Sequence, residues 1–389
     1  MLVVVTFFLT AGGALYLFEQ MAPDSASALK LLRAMDVVRS RYIEVVPSET
    51  LMNGAIKGMV NSLNDPYSIY MDAKMYKEFR METEGSFSGV GIVISVKDKQ
   101  LTVVSPIEGT PGEKAGIRSG DQILKIDGKD TKELALDEAV GMIRGKEGTD
   151  VMLTLRRGEN VREVKLTRTN IQIKTVSSRM LPEKIAVIRL SMFNEQTAGE
   201  FYKQYEAMEA QGMKATILDL RDNPGGLLDS SVRVSNKLVP KGPVVSVVPR
   251  DGEREVHRSQ LEKVKYPLVV LVNGGSASAS EIVAGAVQDT GAGTLIGTKT
   301  FGKGSVQSIV KLTNDTAIKL TIAKYATPKN RFINGIGIEP DIKIENPESK
   351  NGEARPVRSP IMGTEEQANA EAPADLQMEA AINLLKGKL

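Results

Sequence analysis

The segment Leu268-Val-Val-Leu-Val-Asn-Gly-Gly-Ser-Ala-Ser-Ala-Ser-Glu281 combines an apolar run, a glycine turn and a serine-rich start of a helix. The apolar run at 268–272 is typical of a buried strand, and the helix is predicted to begin near Ser278. A hydroxyl at a helix N-terminus lies where unpaired amides and the helix dipole favour developing negative charge. Taken alone, Ser278 fits either a reactive hydroxyl or an ordinary helix cap.

The residues around this segment alternate between strand and helix patterns. Strands are predicted at 185–190, 215–220 and 268–272, helices at 195–211, 227–238 and 278–289, and two later β runs at 305–312 and 317–325. Alternation of this kind predicts a mostly parallel α/β sheet. Upstream, residues 87–168 contain short strands and glycine turns, which predict a small β domain. Two helical patterns precede that domain.

The chain is long enough for about two or three domains, and its fold class is predicted to be α/β and β multidomain. The predicted divisions are a membrane anchor or signal segment (1–20), an N-terminal helical region (24–84), a β domain (85–169), an α/β domain (170–345), a linker (346–374) and a C-terminal helix (375–389). The linker offers little to bury. The last helix has an apolar face, which we expect to dock on the body of the protein.

Composition excludes several classes of function. The 389 residues include 50 basic and 48 acidic side chains, a net charge of +2, and no basic tract with interleaved aromatics, so no nucleic-acid partner is predicted. With no cysteine and one histidine there is no thiolate chemistry, and no metal site or other cofactor is expected. The histidine, His257, lies in a charged stretch typical of an exposed hairpin, which argues against a Ser-His-Asp triad.

The first residues, Met1 to Phe18, carry no charge and have about the length that spans a bilayer. No lysine or arginine precedes them, and the small-x-small site Ala26-Ser27-Ala28 lies about ten residues beyond the apolar run. These features favour an uncleaved anchor over a cleaved signal peptide. They predict a protein of the cell membrane with a single-pass anchor and its catalytic domain on the extracytoplasmic side.

A second strand, turn and helix occur at Leu218-Asp-Leu-Arg-Asp-Asn-Pro-Gly-Gly226. Consecutive glycines after a strand can direct their amides outward as an anion-binding nest. If adjacent strands carry both turns, the amides of Gly226 and Ala279 could form an oxyanion hole. The alternative is an ordinary loop between a strand and a helix.

The loop Thr300-Phe-Gly-Lys-Gly-Ser305 carries the second candidate group, Lys303. The full phosphate-loop pattern is missing and the lysine precedes a β run, which argues against nucleotide binding. A lysine that acts as a general base must be neutral, and burial lowers its pKa. Gly302 and Gly304 would let Lys303 turn inward, and Gln307 could orient its amine. The alternative for Lys303 alone is a solvated loop lysine.

Together these motifs resemble the C-terminal processing peptidases, tail-specific serine proteases with a Ser-Lys dyad and an embedded PDZ domain. The resemblance spans about residues 29 to 345, in the right order. The motifs that carry it are Asp65-Pro-Tyr-Ser68, Phe87-Ser-Gly-Val-Gly91, Asp219-Leu-Arg-Asp-Asn-Pro-Gly-Gly226, Ser276-Ala-Ser-Ala-Ser-Glu281 and Phe301-Gly-Lys-Gly304. The family resemblance implies a ClpP/crotonase-like catalytic core at 170–345 and a PDZ domain at 85–169.

The resemblance also implies roles for individual residues. Ser278 would be the nucleophile, Lys303 the base and Gln307 its orienting partner, while Gly226 and Ala279 would supply the oxyanion amides. In the PDZ domain, Gly89, Val90, Gly91 and Ile92 would bind the terminal carboxylate of a substrate added as an edge strand.

The implied activity is that of a serine endopeptidase acting on proteins or peptides recognised by their C-termini. The helical region at 24–84 could be a dimerisation arm of a homo-oligomer or could pack on the core. Two other functions remain open at this point. One is a non-catalytic PDZ scaffold that retains the protease frame, and the other is a crotonase-like acyl-CoA enzyme, whose oxyanion hole also uses paired loop amides.

Overall fold

The computed structural model describes residues 25–97, 100–347 and 374–389. It divides into two compact units. One comprises the described residues up to 73 together with 309–320, and the other comprises 74–308 with the described residues after 320.

The first unit contains the helical N-terminal region. Its elements are α1 (Ser25–Arg41), α2 (Ser48–Asn61) and β1 (Ile69–Met71). Strand β1 pairs antiparallel with residues 317–319 of the long strand β18 (Ala317–Ala326). The hydroxyl of Tyr70 donates to Asn53 Oδ1 at 2.8 Å and so fixes α2 to β1. Most apolar side chains of the two helices remain exposed.

Helix α3 spans Ala73–Glu84; from Lys74 onward it belongs to the second unit, which continues as a small β domain. The elements of this domain are β2 (Ser86–Gly89), β3 (Ile92–Lys97), β4 (Gln100–Pro106), α4 (Pro111–Lys114), β5 (Gln122–Ile126), β6 (Lys129–Asp130), α5 (Leu136–Ile143), β7 (Asp150–Arg157), β8 (Asn160–Thr167) and β9 (Thr169–Gln172). Five strands form a sheet in the order β3-β4-β5-β7-β8, with β6 against β5, while β2 pairs separately with β9. Strand β3 therefore forms an edge of the sheet.

The centre of the second unit is a six-stranded sheet in the order β10-β11-β12-β15-β16-β19. Its elements and the helices between them are β10 (Val176–Met180), β11 (Ile185–Leu190), α6 (Thr197–Ala210), β12 (Ala215–Asp219), α7 (Leu228–Ser235), β15 (Leu268–Val272), α8 (Ala279–Thr290), β16 (Thr294–Gly297) and β19 (Ile342–Lys343). Only β10 runs antiparallel to its neighbour. Strands β12 and β15 are buried along their whole length, as expected for central strands of a parallel sheet.

A further sheet packs against helices α7 and α8. It contains the hairpin β13 (Gly242–Pro249) and β14 (Glu255–Ser259), with residues 323–326 of β18 paired to β13. Strand β17 (Ser305–Lys311) pairs with β18. His257 lies on β14, with Nε2 3.4 Å from Glu255 Oε1.

The C-terminal helix α9 (Leu376–Lys386) docks on the parallel sheet. Ala381 and Leu385 are fully buried against the strands, and Met378 and Ile382 pack beside them. At the start of the helix, Arg221 Nη1 donates to Asp375 Oδ1 at 2.7 Å. The apolar face seen in the sequence is thus the face that contacts the core.

These features confirm the predicted fold class, but they do not support the predicted single-pass membrane anchor. Within 25–97, 100–347 and 374–389, no helix is both long and apolar enough to cross a bilayer. The predicted localisation is corrected on that ground. The proposed anchor segment at 1–20 and most of the proposed linker lie outside the described residues.

Candidate active site

Two neighbouring parallel strands carry the two glycine turns. Strand β12 pairs with β15 in a register that places Asp219 beside Leu271. Parallel strands end at the same edge of a sheet. The turns that follow them, at 220–227 and 273–278, therefore meet there, which satisfies the condition set by the sequence for a shared oxyanion site.

Side chains of the two turns bond to each other. The amide N–H of Asp222 donates to Asn273 Oδ1 at 2.9 Å, and Asn273 Nδ2 donates back to Asp222 Oδ1 at 2.8 Å. The carbonyl oxygen of Asn223 accepts the Ala277 N–H at 3.0 Å. Asn223 is itself fully buried. The relative position of the turns is thus fixed by direct hydrogen bonds.

The three serines of the Ser-Ala-Ser-Ala-Ser run differ in their surroundings. Ser276 Oγ donates to the Leu220 carbonyl at 2.8 Å and Ser280 Oγ to the Asn223 carbonyl at 2.9 Å, and both serines are fully buried. Ser278 is half-buried and has φ +53° and ψ −112°. A non-glycine residue in such a conformation costs on the order of 1 kcal/mol and is typical of functional turns. The middle serine is therefore the candidate nucleophile.

Two backbone amides border this serine. The Gly225 N–H donates to Asn223 Oδ1 at 2.9 Å, whereas within the described residues the N–H groups of Gly226 and Ala279 take part in no hydrogen bond. A Cβ on Gly225 would lie 2.7 Å from Ser278 Cβ and 2.9 Å from the Ala279 nitrogen. The glycine turn thus approaches Ser278 closely. Of the amides bordering this serine, those of Gly226 and Ala279, the predicted oxyanion donors, have no other hydrogen-bond partner among the described residues.

Lys303 is half-buried in the loop between β16 and β17. Its neighbours are held against residues 334–337: the Gly304 N–H donates to Asn334 Oδ1 at 3.1 Å, and the Gly302 carbonyl accepts the Gly335 N–H at 2.8 Å. A Cβ on Gly304 would lie 2.5 Å from the Asn334 nitrogen. Gly302 and Gly304 therefore allow the loop to pack closely against residues 334–337. The sequence had suggested a different role for them, to give Lys303 conformational freedom.

Glu281 connects the serine turn to the lysine loop. Its carboxylate is fully buried, and Oε2 accepts the N–H of Ser278 at 2.9 Å and that of Lys303 at 2.8 Å. The other oxygen, Oε1, accepts the Thr300 hydroxyl at 2.5 Å and the Gly302 N–H at 2.8 Å. The two predicted dyad residues are thus brought together at the backbone. The Ser-x-x-Glu spacing of Ser278 and Glu281 is that of a helix capping box, and this is the one sequence signal that marks Glu281.

Tyr325 of β18 also contacts both residues. Its hydroxyl lies 2.7 Å from the carbonyl oxygen of Lys303 and 3.0 Å from that of Ser278. Burial, and after it the charge of Glu281, raises the pKa of Tyr325 well above its usual value. No sequence signal marked this residue, because it approaches from another sheet.

Gln307 lies half-buried on β17, close to the lysine loop in sequence. Its Nε2 donates to Ser305 Oγ at 2.9 Å and to Thr321 Oγ1 at 3.4 Å. Its expected bond to the amine of Lys303 stays a prediction.

The predicted carboxylate-binding loop lies between β2 and β3. The carbonyl of Val90 accepts the Gly112 N–H at 2.7 Å, and that of Gly91 accepts the Ile107 N–H at 2.8 Å. In the described part of the chain, the N–H groups of Val90 and Gly91 enter no hydrogen bond. Gly91 has φ +72°, and a Cβ there would lie 2.2 Å from Thr110 Oγ1. Gly89 ends β2 and Ile92 begins edge strand β3, so the loop joins unoccupied amides to an open strand edge.

Comparison with known proteins identifies three regions of the chain. Residues 184–344 match Peptidase family S41, residues 102–157 match the PDZ domain, and residues 17–75 match the activating protease CtpB N-terminal domain. A solved structure, a putative S41 protease from Bacteroides fragilis, covers 91% of this chain and 97% of its own, with a TM-score of 0.51 and 14% identity, and supports the fold.

Two relatives extend this similarity over most of the chain. The carboxy-terminal processing protease CtpA of Bacillus subtilis is 40% identical over 347 residues, which cover 88% of this chain and 74% of the relative. The carboxy-terminal-processing protease of Bartonella bacilliformis is 39% identical over 379 residues, covering 90% and 86% respectively. With a serine-bearing turn, a PDZ domain and identity of this extent, the chain belongs to the C-terminal processing proteases, serine peptidases of family S41.

Proposed function

We propose that this chain is an endopeptidase that binds proteins by their C-termini through its PDZ domain and cleaves them with a Ser278–Lys303 dyad. The main support is that the N–H groups of both residues donate to one oxygen of Glu281. Because each nitrogen lies within hydrogen-bond distance of the same atom, the two nitrogens are no more than about 6 Å apart. That separation suits a side-chain nucleophile and its base.

In the proposed mechanism, the amine of Lys303 takes the proton of Ser278 Oγ as the oxygen attacks the scissile carbonyl. The N–H groups of Gly226 and Ala279 bind the developing oxyanion, which fits their lack of hydrogen-bond partners within the described residues. The protonated amine then gives its proton to the leaving nitrogen as the C–N bond breaks. Water, deprotonated by Lys303, hydrolyses the acyl-enzyme and regenerates Ser278. Gln307 is assigned to orient the amine.

Lys303 must be uncharged to act as a base. The lysine is half-buried, and removal from water favours the neutral amine. Activity should therefore rise with pH through a single ionisation that belongs to the free enzyme. A kcat/KM that stays flat across the neutral to alkaline range would contradict this role.

For substrate capture, we infer that the substrate's last residues add as a strand to the open edge of β3. The carboxylate would accept the N–H groups of Val90 and Gly91, with Gly89 and Ile92 framing the loop. A substrate whose C-terminus is amidated should then bind more weakly than its free-acid form. Equal binding of the two would contradict carboxylate recognition.

We also propose that the first unit forms a homodimer. Its helices expose many large apolar side chains, an arrangement that favours burial against a partner of the same kind. They are Leu29, Leu31, Leu32, Val37 and Val38 on α1, Tyr42 directly after it, and Met52 and Met59 on α2. Light scattering should give twice the chain mass, and Leu32→Glu with Val38→Glu should give the monomer. A wild-type protein that is monomeric at micromolar concentration would contradict the dimer.

The dyad is tested by cleavage of an unstructured protein that has a free C-terminus. Ser278→Ala and Lys303→Ala should each lower kcat by on the order of 10³-fold or more, and the double variant should lose little beyond the single ones. Ser280→Ala is the matched control, because its buried hydroxyl bonds to a backbone carbonyl; its kcat should stay far above that of Ser278→Ala. Cleavage at the wild-type rate by both dyad variants would exclude the proposed function.

A further inference from the structure

We propose that Glu281 and Tyr325 are positioning residues for the dyad, which together hold the serine turn and the lysine loop at reacting distance before substrate binds. The inference rests on the proposed function and concerns two residues that neither sequence motif nor mechanism had assigned a role. Each side chain contacts the backbone of both Ser278 and Lys303.

Glu281 uses its whole capacity for hydrogen bonds in this task. An ionised carboxylate has about four acceptor sites, and Glu281 accepts four donors: the N–H groups of Ser278, Gly302 and Lys303 and the hydroxyl of Thr300. Three of the donors belong to the lysine loop and one to the serine turn. A glutamine in its place would turn one oxygen into an NH2 group. Each carboxylate oxygen accepts two donors, so in either amide orientation the NH2 group, itself a donor, would face two groups that now donate to Glu281.

Tyr325 contacts the carbonyl oxygens of Ser278 and Lys303, whereas Glu281 contacts their N–H groups. Its hydroxyl lies within hydrogen-bond distance of both carbonyl oxygens, at 2.7 Å from Lys303 and 3.0 Å from Ser278. The pKa of this hydroxyl is raised well above its usual value by burial and then by Glu281. The hydroxyl therefore keeps its proton, and remains a hydrogen-bond donor, to a higher pH than an ordinary tyrosine.

The conformation of Ser278 explains why such restraint is needed. Its φ of +53° is unfavourable for a residue with a Cβ, so the turn would relax if it were not held. A relaxed turn would shift Oγ relative to the base, and a displacement of about 1 Å can cost roughly 10²-fold in rate. Substrate capture by the edge of β3 would be unaffected, so the loss should appear in kcat and leave KM nearly unchanged.

The test compares Tyr325→Phe and Glu281→Gln with two control variants in the full chain. Tyr205→Phe removes a hydroxyl buried in the same core on α6, and Glu206→Gln removes a charge from an exposed side chain of the same helix. We expect kcat to fall about 10-fold for Tyr325→Phe and about 10²-fold for Glu281→Gln, with KM within about 3-fold of wild type. Labelling of Ser278 by a fluorophosphonate should slow in parallel, and both controls should keep wild-type values.

Folded Tyr325→Phe and Glu281→Gln variants with wild-type kcat would overturn the proposal, as would a loss that appears only in KM. If Glu281→Gln fails to fold, Tyr325→Phe alone decides, since it removes a single oxygen atom. The Ser278→Ala variant distinguishes failure of the positioning role from failure of the proposed Ser278–Lys303 dyad. If Ser278→Ala cleaves at the wild-type rate, the proposed function has failed; if it is inactive while both positioning variants are fully active, only the positioning role is wrong.

Discussion

The contacts of Asp375 allow us to predict how much this residue stabilises the docking of the C-terminal helix α9. Asp375 accepts a bond from Arg221 Nη1 at 2.7 Å and caps α9 by accepting the Met378 N–H at 3.2 Å. The side chain of Arg221 is 7% exposed and that of Asp375 is 29% exposed. Replacing Asp375 by Ala removes a helix cap, which is worth about 1 kcal/mol, and one charged hydrogen bond at a partly exposed site, which is worth about another 1 kcal/mol. Arg221 remains paired with Asp219.

We therefore expect Asp375→Ala to weaken the docking of α9 by about 2 kcal/mol, which corresponds to roughly 30-fold faster amide exchange in residues 376–386. Hydrogen–deuterium exchange with mass spectrometry measures this directly, with amides of β12 as an internal reference. Glu379→Ala is the matched control, because this exposed acid lies in the first turn of the same helix. Exchange that is unchanged in Asp375→Ala, or that rises equally in Glu379→Ala, would refute the role of the Arg221 contact.

Three further predictions concern other parts of the molecule. Burial works against ionisation of Asp375, but the hydrogen bond and charge of Arg221 outweigh it and lower the pKa of Asp375. The stability from this pair should be present above the pKa of an unfolded aspartate, about 4, and be lost as pH falls below it. Protection factors of the α9 amides, corrected for the pH dependence of intrinsic exchange, should therefore be lower in acid than at neutral pH, and equal protection factors would contradict this prediction. Gly225→Ala would place a Cβ 2.6 Å from the Ala277 carbonyl oxygen, on a residue whose φ is +99°. The variant should cleave the unstructured substrate with a kcat lowered by about 10²-fold or more. Full activity would show that the two glycine turns do not meet as described. Gly91→Ala would place a Cβ 2.2 Å from Thr110 Oγ1. Fluorescence anisotropy should show about 10-fold weaker binding of a free-acid peptide, while Ser278 still reacts with a fluorophosphonate. Unchanged affinity would show that this loop does not bind the carboxylate.

Local patterns were sufficient to predict three central strands, at 185–190, 215–220 and 268–272, and the glycine turns that follow the last two. The role of Ser278 as nucleophile is implied by the family resemblance and stays a prediction. The apolar run before Asn273 and the glycines after Leu220 each define a strand end from a few neighbouring residues. The sequence left open whether these two strands are neighbours; the pairing of β12 with β15 places their turns together. Strand β10, the antiparallel edge of the same sheet, was missed because its sequence, Val176-Ser-Ser-Arg-Met180, has too few apolar residues to be distinguished from a loop.

Contacts between residues distant in sequence could not be predicted in this way. Tyr325 reaches Ser278 across 47 positions, and Arg221 reaches Asp375 across 154. Glu281 was visible as a capping residue, but its bonds to the lysine loop depend on how two segments of irregular backbone approach each other. Gly302 and Gly304 are a further example. The sequence suggested that they give Lys303 conformational freedom, but their close packing against residues 334–337 is a contact between distant segments.

The dyad itself is tested most directly by the reactivity of one hydroxyl. Wild-type protein and Lys303→Ala are exposed to a fluorophosphonate over a range of pH, and the labelled residue is located by mass spectrometry. We expect a single labelled site, Ser278. In wild type its labelling rate should rise with pH; in Lys303→Ala the rate should fall by on the order of 10²-fold or more and this pH step should be lost. Labelling at another serine, or labelling of Ser278 at equal rates in both proteins, would contradict it.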